Sequence, residues 1–151
     1  MALRMRHRRC NRLCHMASTH SLDYIDANHH AVLATLRRDG SIQLSPVLVV
    51  RTGPHSIGIS SRETAMKTRN LRRNPNAFVC IFPDAFFGNW IQVDGAARIH
   101  SLPEAMDALV DYYRRAVGEH DDWEAYRSAM TAERRVLIEI AVTRVGPTIS
   151  G

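Results

Sequence analysis

The sequence feature that most restricts the fold is a short turn, Arg38-Asp39-Gly40, set between two apolar runs: His30 to Arg37 and Ile42 to Arg51. An Asp-Gly pair supplies the backbone freedom of a tight antiparallel reversal, so the two runs are expected to form a β-hairpin. Strand pattern resumes after Gly53-Pro54, at Ser56 to Ser61, giving three antiparallel strands. In the second strand Ile42, Leu44, Pro46 and Leu48 share one face, and Gln43, Ser45, Val47 and Val49 the other. Pro46 cannot donate to a ladder, which puts this strand at an edge or at a bulge. A bulge there would leave backbone groups free beside Gln43 and Ser45 to meet a planar heterocycle.

The remaining elements follow the same logic. Ser21 to Asp26 is a short helix with Leu22 and Ile25 on one face. Ala77 to Phe82 and Trp90 to His100 read as strands, and Cys80 within the first reads as a small buried hydrophobe. Between them Phe86, Phe87 and Trp90 cluster at a turn, a pattern that marks an interface or a ligand wall. Gly95 predicts a bulge or a close backbone approach. Ser101-Leu102-Pro103-Glu104 reads as a capping box opening a helix that buries Met106, Leu109, Val110, Tyr113, Ala116 and Val117 and ends at Gly118. A second helix, capped by Asp121 or Asp122, carries Trp123, Tyr126 and Met130, and Val136 to Val142 is the last strand. Short antiparallel strands with few helices predict a mainly β fold with helices (α+β), a small closed or split barrel with the helices at its ends.

Charge is informative once it is located. The formal net charge is +5, and Arg4, Arg6, Arg8, Arg9 and Arg12 supply that excess before Met16. Residues 1–15 are therefore expected to be a disordered basic extension, and residues 16–151 a single neutral domain. Binding of nucleic acid through the arginine-rich leader is the weakest functional reading, and no apolar run approaches the ~20 residues of a membrane span. No nucleic acid or membrane partner is expected, and the natural compartment is the cytosol. Cys10, Cys14 and His15 are zinc-type ligands that lack a second pair at defined spacing. Glu119, His120, Asp121 and Asp122 occupy a connection between helices where acidic caps are expected, so no metal site is assigned. No catalytic Ser/His/Asp or Cys/His group is recognisable.

Lys67 is the only lysine in the chain. It opens a basic segment, Lys67-Thr68-Arg69-Asn70-Leu71-Arg72-Arg73-Asn74-Pro75, expected to be a helix with Thr64 as N-cap, Met66, Asn70 and Leu71 along one side, and a stop at Asn74-Pro75. Arg69, Arg72 and Arg73 then face either solvent or an anion. Ser60 and Ser61 end the preceding strand, so hydroxyls, helical N–H groups and an ammonium converge as an anion site requires.

Three segments together carry a family resemblance: Gln43-Leu44-Ser45-Pro46-Val47, the Lys67 to Pro75 helix, and Tyr113-Arg114-Arg115-Ala116-Val117-Gly118-Glu119-His120-Asp121-Asp122-Trp123. From about Leu22 to about Pro147 the chain resembles the pyridoxamine 5'-phosphate oxidase-like, FMN-binding split β-barrel superfamily. Within it the chain is most similar to the branch that uses the deazaflavin coenzyme F420.

The resemblance implies a homodimer with the cofactor in a groove between subunits. By it Lys67, Thr68 and Asn70 hold the phosphate side, and Gln43, Ser45, Pro46 and Val47 lie along the ring system. Trp90 and Gln92 line the groove from the other subunit. The implied activity is hydride transfer from reduced F420 to a small unsaturated or quinone-like acceptor. The alternatives are an FMN-binding flavoprotein and a non-catalytic F420 carrier. Relatives often carry arginine two residues before the helix lysine. Here that position is Ala65, with Arg62 and Arg69 as replacements. The tail after Val145 lacks the aromatic residue that often closes the groove.

Overall fold

The computed structural model describes residues 19–150, with side-chain surroundings from 22 to 146; the basic leader with Cys10, Cys14 and His15 lies outside the described residues. The element order is α1 (Thr19–Ala27), β1 (His30–Leu36), β2 (Ile42–Leu48), β3 (Val50–Gly53), β4 (Ser56–Arg62), α2 (Met66–Arg73), β5 (Asn76–Ile81), β6 (Asn89–Ser101), α3 (Met106–Val117), α4 (Trp123–Ala132) and β7 (Arg135–Ser150). The seven strands form one antiparallel sheet in the order β2-β1-β5-β6-β7-β4-β3.

Its two edges, β2 and β3, are consecutive in the chain and separated by Val49 alone. Adjacent Cα atoms lie about 3.8 Å apart, so the sheet must curl until its edges nearly meet. The result is a barrel split between β2 and β3, the expected α+β architecture. Val49 is fully buried, its N–H donates to the His29 carbonyl at 2.8 Å, and its own carbonyl accepts from His29 Nδ1 at 2.9 Å. A carbonyl cannot donate, so His29 carries its proton on Nδ1. This corner divides the single strand expected over Ile42 to Arg51 into β2 and β3. Pro46 lies on the edge strand β2, opposite Val32.

The barrel interior is filled by alternate residues of the strands, among them Leu33, Ile57, Val79, Val93 and Ile138, with Leu22 and Ile25 of α1 and Leu71 of α2 packed into them. A second cluster lies under α3 and α4, where Leu109, Tyr112, Tyr126 and Met130 cover Val50 and Leu137. The Tyr112 hydroxyl donates to the Leu48 carbonyl at 2.9 Å, tying α3 to the corner.

Several sequence expectations change. Because Ala77, Val79 and Ile81 face the interior, the period of two turns Phe78 and Cys80 outward; Cys80 is exposed rather than buried. Ser101 does not cap α3: it ends β6, and its hydroxyl accepts from Arg72 and donates to Glu63. On α3 Tyr112, which the pattern does not place inside, is buried, whereas Val117, expected to be buried, is 58% exposed. Thr64 does not cap α2, whose N-cap is Ala65 without a side-chain bond, and Met66 is exposed. The last strand is far longer than Val136 to Val142, because β6 continues to pair with it up to Ser150. Asp122 does cap α4, accepting from the Ala125 N–H at 2.9 Å.

Gly95 meets both sequence expectations. The β6–β7 register shifts between Asp94 and Gly95, and a Cβ at Gly95 would lie 2.3 Å from the Ala141 carbonyl oxygen. Backbone cannot yield as a flexible side chain can. Gly95→Ala is therefore expected to cost about 1–3 kcal/mol of stability by overpacking, read as a lower urea midpoint; an unchanged midpoint would show that the strands separate freely there.

Candidate functional site

Helix α2 lies across the mouth of the barrel, and polar groups gather at both of its ends. At its start, Thr68 is fully buried, with Oγ1 2.9 Å from Ser61 Oγ and 2.8 Å from the Arg62 carbonyl. Those bonds fix the first turn to the end of β4 and leave Lys67, half-buried, beside that strand end. Ser60 lies on the opposite face of β4 from Ser61, so of the two hydroxyls only Ser61 joins Thr68.

The charges around Lys67 come from distant parts of the chain. Arg62 and Arg135 are directly paired across β4 and β7. Glu133 Oε2 accepts from Arg62 Nη2 at 3.1 Å and from Arg135 Nε at 2.8 Å. These bonds, Arg62 first, hold the Glu133 carboxyl below the usual carboxylate range. One carboxylate thus braces two guanidinium groups, and among the described residues none pairs with Lys67. Burial first, then Arg135 and Arg62, hold the ammonium below the ordinary lysine range. The arrangement carries a surplus of positive charge and suits an anionic group.

At the other end, Asn70 is 1% exposed and donates to Thr35 Oγ1 and to Gln43 Oε1, both at 3.0 Å. Gln43 Nε2 donates in turn to Ser45 Oγ at 3.1 Å. Asn70, Gln43 and Ser45 are therefore one chain of hydrogen bonds joining α2 to β2. Val47 continues the same face of β2 and packs against the barrel core.

Arg72 and Arg73 are not simply a solvated face. Arg72 forms two bonds to Glu63, at 2.9 and 2.8 Å, and Arg73 donates to the Leu36 carbonyl. Arg69 has no anionic partner among the described residues and, with Arg37, Arg38, Arg73 and the carboxylate of Asp39, lines a groove of about 440 Å³ between α2 and the β1–β2 hairpin.

Pro46, Trp90 and Gln92 stand apart from this cluster, on the outer face of the sheet. Residues aligned across it there are Pro46, Val32, Cys80 and Gln92. Gln92 donates to Asp94 at 2.8 Å, and Asp94 pairs with Arg144. Around them the face is apolar: Leu44 is 64% exposed, Phe86 66% and Phe87 79%. Phe82, Phe86, Phe87, Gly88, Trp90 and Cys80 enclose a hollow of about 290 Å³. Phe86 has φ 65°, a left-handed conformation that bulky residues seldom adopt.

The Tyr113 to Trp123 connection packs as an aromatic cluster of Tyr113, His120, Trp123 and Tyr126, with ring centroids 5.0–5.9 Å apart. Arg114 lies 4.6 Å over the Trp123 ring, and the Tyr126 hydroxyl, pushed up to about 12 chiefly by burial, donates to the Leu109 carbonyl. Among the described residues no group of three or more His, Cys, Asp or Glu side chains could hold a metal ion. No helix among them is long and apolar enough to cross a membrane. Arg135 and Glu133 escaped the sequence reading because only the β4–β7 register brings them to Arg62.

Residues 19–148 match the pyridoxamine 5'-phosphate oxidase family, and the chain belongs to that family. Among solved structures, a conserved hypothetical protein of Mycobacterium tuberculosis is 22% identical, with 86% of this chain and 82% of that one covered and a TM-score of 0.69. An F420 reductase is 19% identical over 82% of this chain and 94% of its own, with a TM-score of 0.65. A candidate pyridoxamine 5'-phosphate oxidase of Listeria innocua is 15% identical over 86% and 95%, with a TM-score of 0.63. At these identities the likeness is one of fold.

The crowding of Lys67 has a measurable consequence. Below the lowered folded pKa the ammonium is charged in both states, and its penalty on the folded state is fully present. The penalty is lost as pH rises from that value through 10.5, the value of an unperturbed lysine. Lys67→Met is therefore expected to raise the urea midpoint of the cofactor-free protein at pH 7, with the gain shrinking as pH approaches that range. A midpoint at or below that of the wild type at pH 7 would contradict the crowding.

Proposed function

We propose that this member of the pyridoxamine 5'-phosphate oxidase family is an F420-dependent oxidoreductase, passing hydride from the reduced deazaflavin to a small unsaturated or quinone-like acceptor. The observation that carries the reading is Lys67, half-buried without a carboxylate partner among the described residues, beside the Arg62–Glu133–Arg135 brace. A cation left in surplus there suits a phosphate, since charge-assisted bonds to such oxygens are about twice as strong as neutral ones. The donor set fits the cofactor: Lys67 would hold the phosphate, and Gln43 and Ser45 the polar edge of the ring.

The choice of F420 over FMN rests on the second group of cations. Arg37, Arg38, Arg69 and Arg73 outnumber the one carboxylate, Asp39, in a groove beside α2, and F420 carries carboxylates beyond its phosphate, whereas FMN ends at the phosphate. The likeness to an F420 reductase supports the same choice. FMN remains the second reading, favoured by the family to which the chain belongs. When bound, the deazaflavin exchanges hydride in two-electron steps; the chain's own residues bind it, orient its ring and exclude water.

The functional unit of this reading is a homodimer. Ile42 and Leu44 on β2, Phe78 on β5, and Phe86 and Phe87 at the β5–β6 turn leave a broad apolar face open to water on one subunit, and such patches mark interaction sites. A second copy on this face would bring Trp90 and Gln92 to the groove of its partner.

Lys67→Ala is expected to weaken F420 binding by about 1.5–3 kcal/mol, the worth of a hydrogen bond to a charged group, in fluorescence titrations at fixed salt. Unchanged affinity would remove the phosphate assignment. Leu44→Asp is expected to yield a folded monomer by light scattering, and a dimer of undiminished strength would place the interface elsewhere.

A further inference from the structure

The hydrogen bonds between α2 and β2 run in one direction, and the residue that fixes the direction is Arg73. A guanidinium can only donate. Arg73 donates to the Leu36 carbonyl and, at 3.4 Å, to Asn70 Oδ1, so the oxygen of the Asn70 amide must face it. The amide nitrogen therefore faces the other way, and both its protons are spent, on Thr35 Oγ1 and on Gln43 Oε1 at 3.0 Å each. With its oxygen occupied, Gln43 offers Nε2 onward to Ser45 Oγ at 3.1 Å. The Ser45 oxygen accepts, which leaves its O–H to donate elsewhere.

Asn70 is 1% exposed, and with both amide protons engaged by the chain it has no side-chain donor left for a ligand. Gln43 is half-buried and Ser45 is 7% exposed, so the chain of bonds opens towards solvent at Gln43 and only narrowly at Ser45. We infer that Asn70 is a positioning residue: it fixes the amide of Gln43 in one orientation and thereby makes the Ser45 hydroxyl a donor towards an acceptor on the cofactor ring. The inference rests on the reading of β2 as the strand along the ring. It specifies the chemistry of that contact: a ring carbonyl oxygen or unprotonated ring nitrogen is recognised by Ser45, and a ring N–H is not.

The test is a double-mutant cycle read by fluorescence titration with F420. Ser45→Ala alone is expected to weaken binding roughly three- to tenfold, the loss of one neutral hydrogen bond. In Asn70→Asp the carboxylate can only accept, so the Gln43 amide turns over and its oxygen captures the Ser45 proton. In that background Ser45→Ala should change affinity by about twofold or less. Equal factors in both backgrounds overturn the inference.

Because a carboxylate at a buried position can unfold the chain, Gln43→Glu repeats the cycle from a half-buried position. Its two oxygens accept from Asn70 and from Ser45, and the same insensitivity to Ser45→Ala is expected. A readout without cofactor is the side-chain amide proton resonance of Gln43, identified by its absence in Gln43→Glu. It should move downfield in Asn70→Asp, as an N–H engages a carboxylate; an unmoved resonance overturns the inference. If the wild type binds neither F420 nor FMN, the cofactor reading fails, and the resonance still decides the polarity of the chain.

Discussion

The single residue between β2 and β3 is the constraint on which the rest depends. The two edges of a seven-stranded sheet are joined through Val49, and two hydrogen bonds between Val49 and His29, one donated by each, hold that joint. A sheet whose edges are tied in this way cannot remain open. Closing it creates an interior lined by alternate apolar residues and a mouth that the β4–β5 connection must cross. Helix α2 makes that crossing, with Leu71 turned into the core and its polar residues left at the rim.

The two ends of α2 then acquire different chemistry from the same eight residues. At the first turn, Thr68 binds β4 and leaves Lys67 among Arg62 and Arg135, where charge is in surplus. In the second, Asn70 binds β1 and β2 and carries a direction of hydrogen bonding imposed by Arg73. A charged anchor and an oriented polar strand, held by one short helix, are what a cofactor with an anionic tail and a planar polar ring requires. Thr68 and Asn70 serve that arrangement from beneath it, since both are buried and engaged with the chain itself.

Features with local causes were legible in the sequence. The hairpin at Asp39-Gly40, the edge position of Pro46, the close approach at Gly95 and the Asp122 cap each follow from the backbone chemistry of one or two residues. The corner at Val49 was not legible, because Val47-Leu48-Val49-Val50 is uniformly apolar and the break is made by His29, far earlier in the chain. Ser101 carries the spelling of a capping box, but its hydroxyl is taken by Arg72 and Glu63. The outward place of Cys80 is not legible, because an apolar run gives no sign of which alternate set faces inward. The cationic cluster was half legible: Lys67 stands out as the only lysine, while Arg135 joins Arg62 through strand pairing and Glu133 through its bonds to both.

The most direct measurement is calorimetric titration of the wild-type protein with oxidised F420 and, separately, with FMN at low and moderate salt. Tight F420 binding that weakens with salt, alongside much weaker FMN binding, is the expected result, since the Lys67 cluster meets the phosphate of either cofactor and the arginine groove only the carboxylates of F420. FMN binding as tight as F420, or F420 binding indifferent to salt, would contradict it.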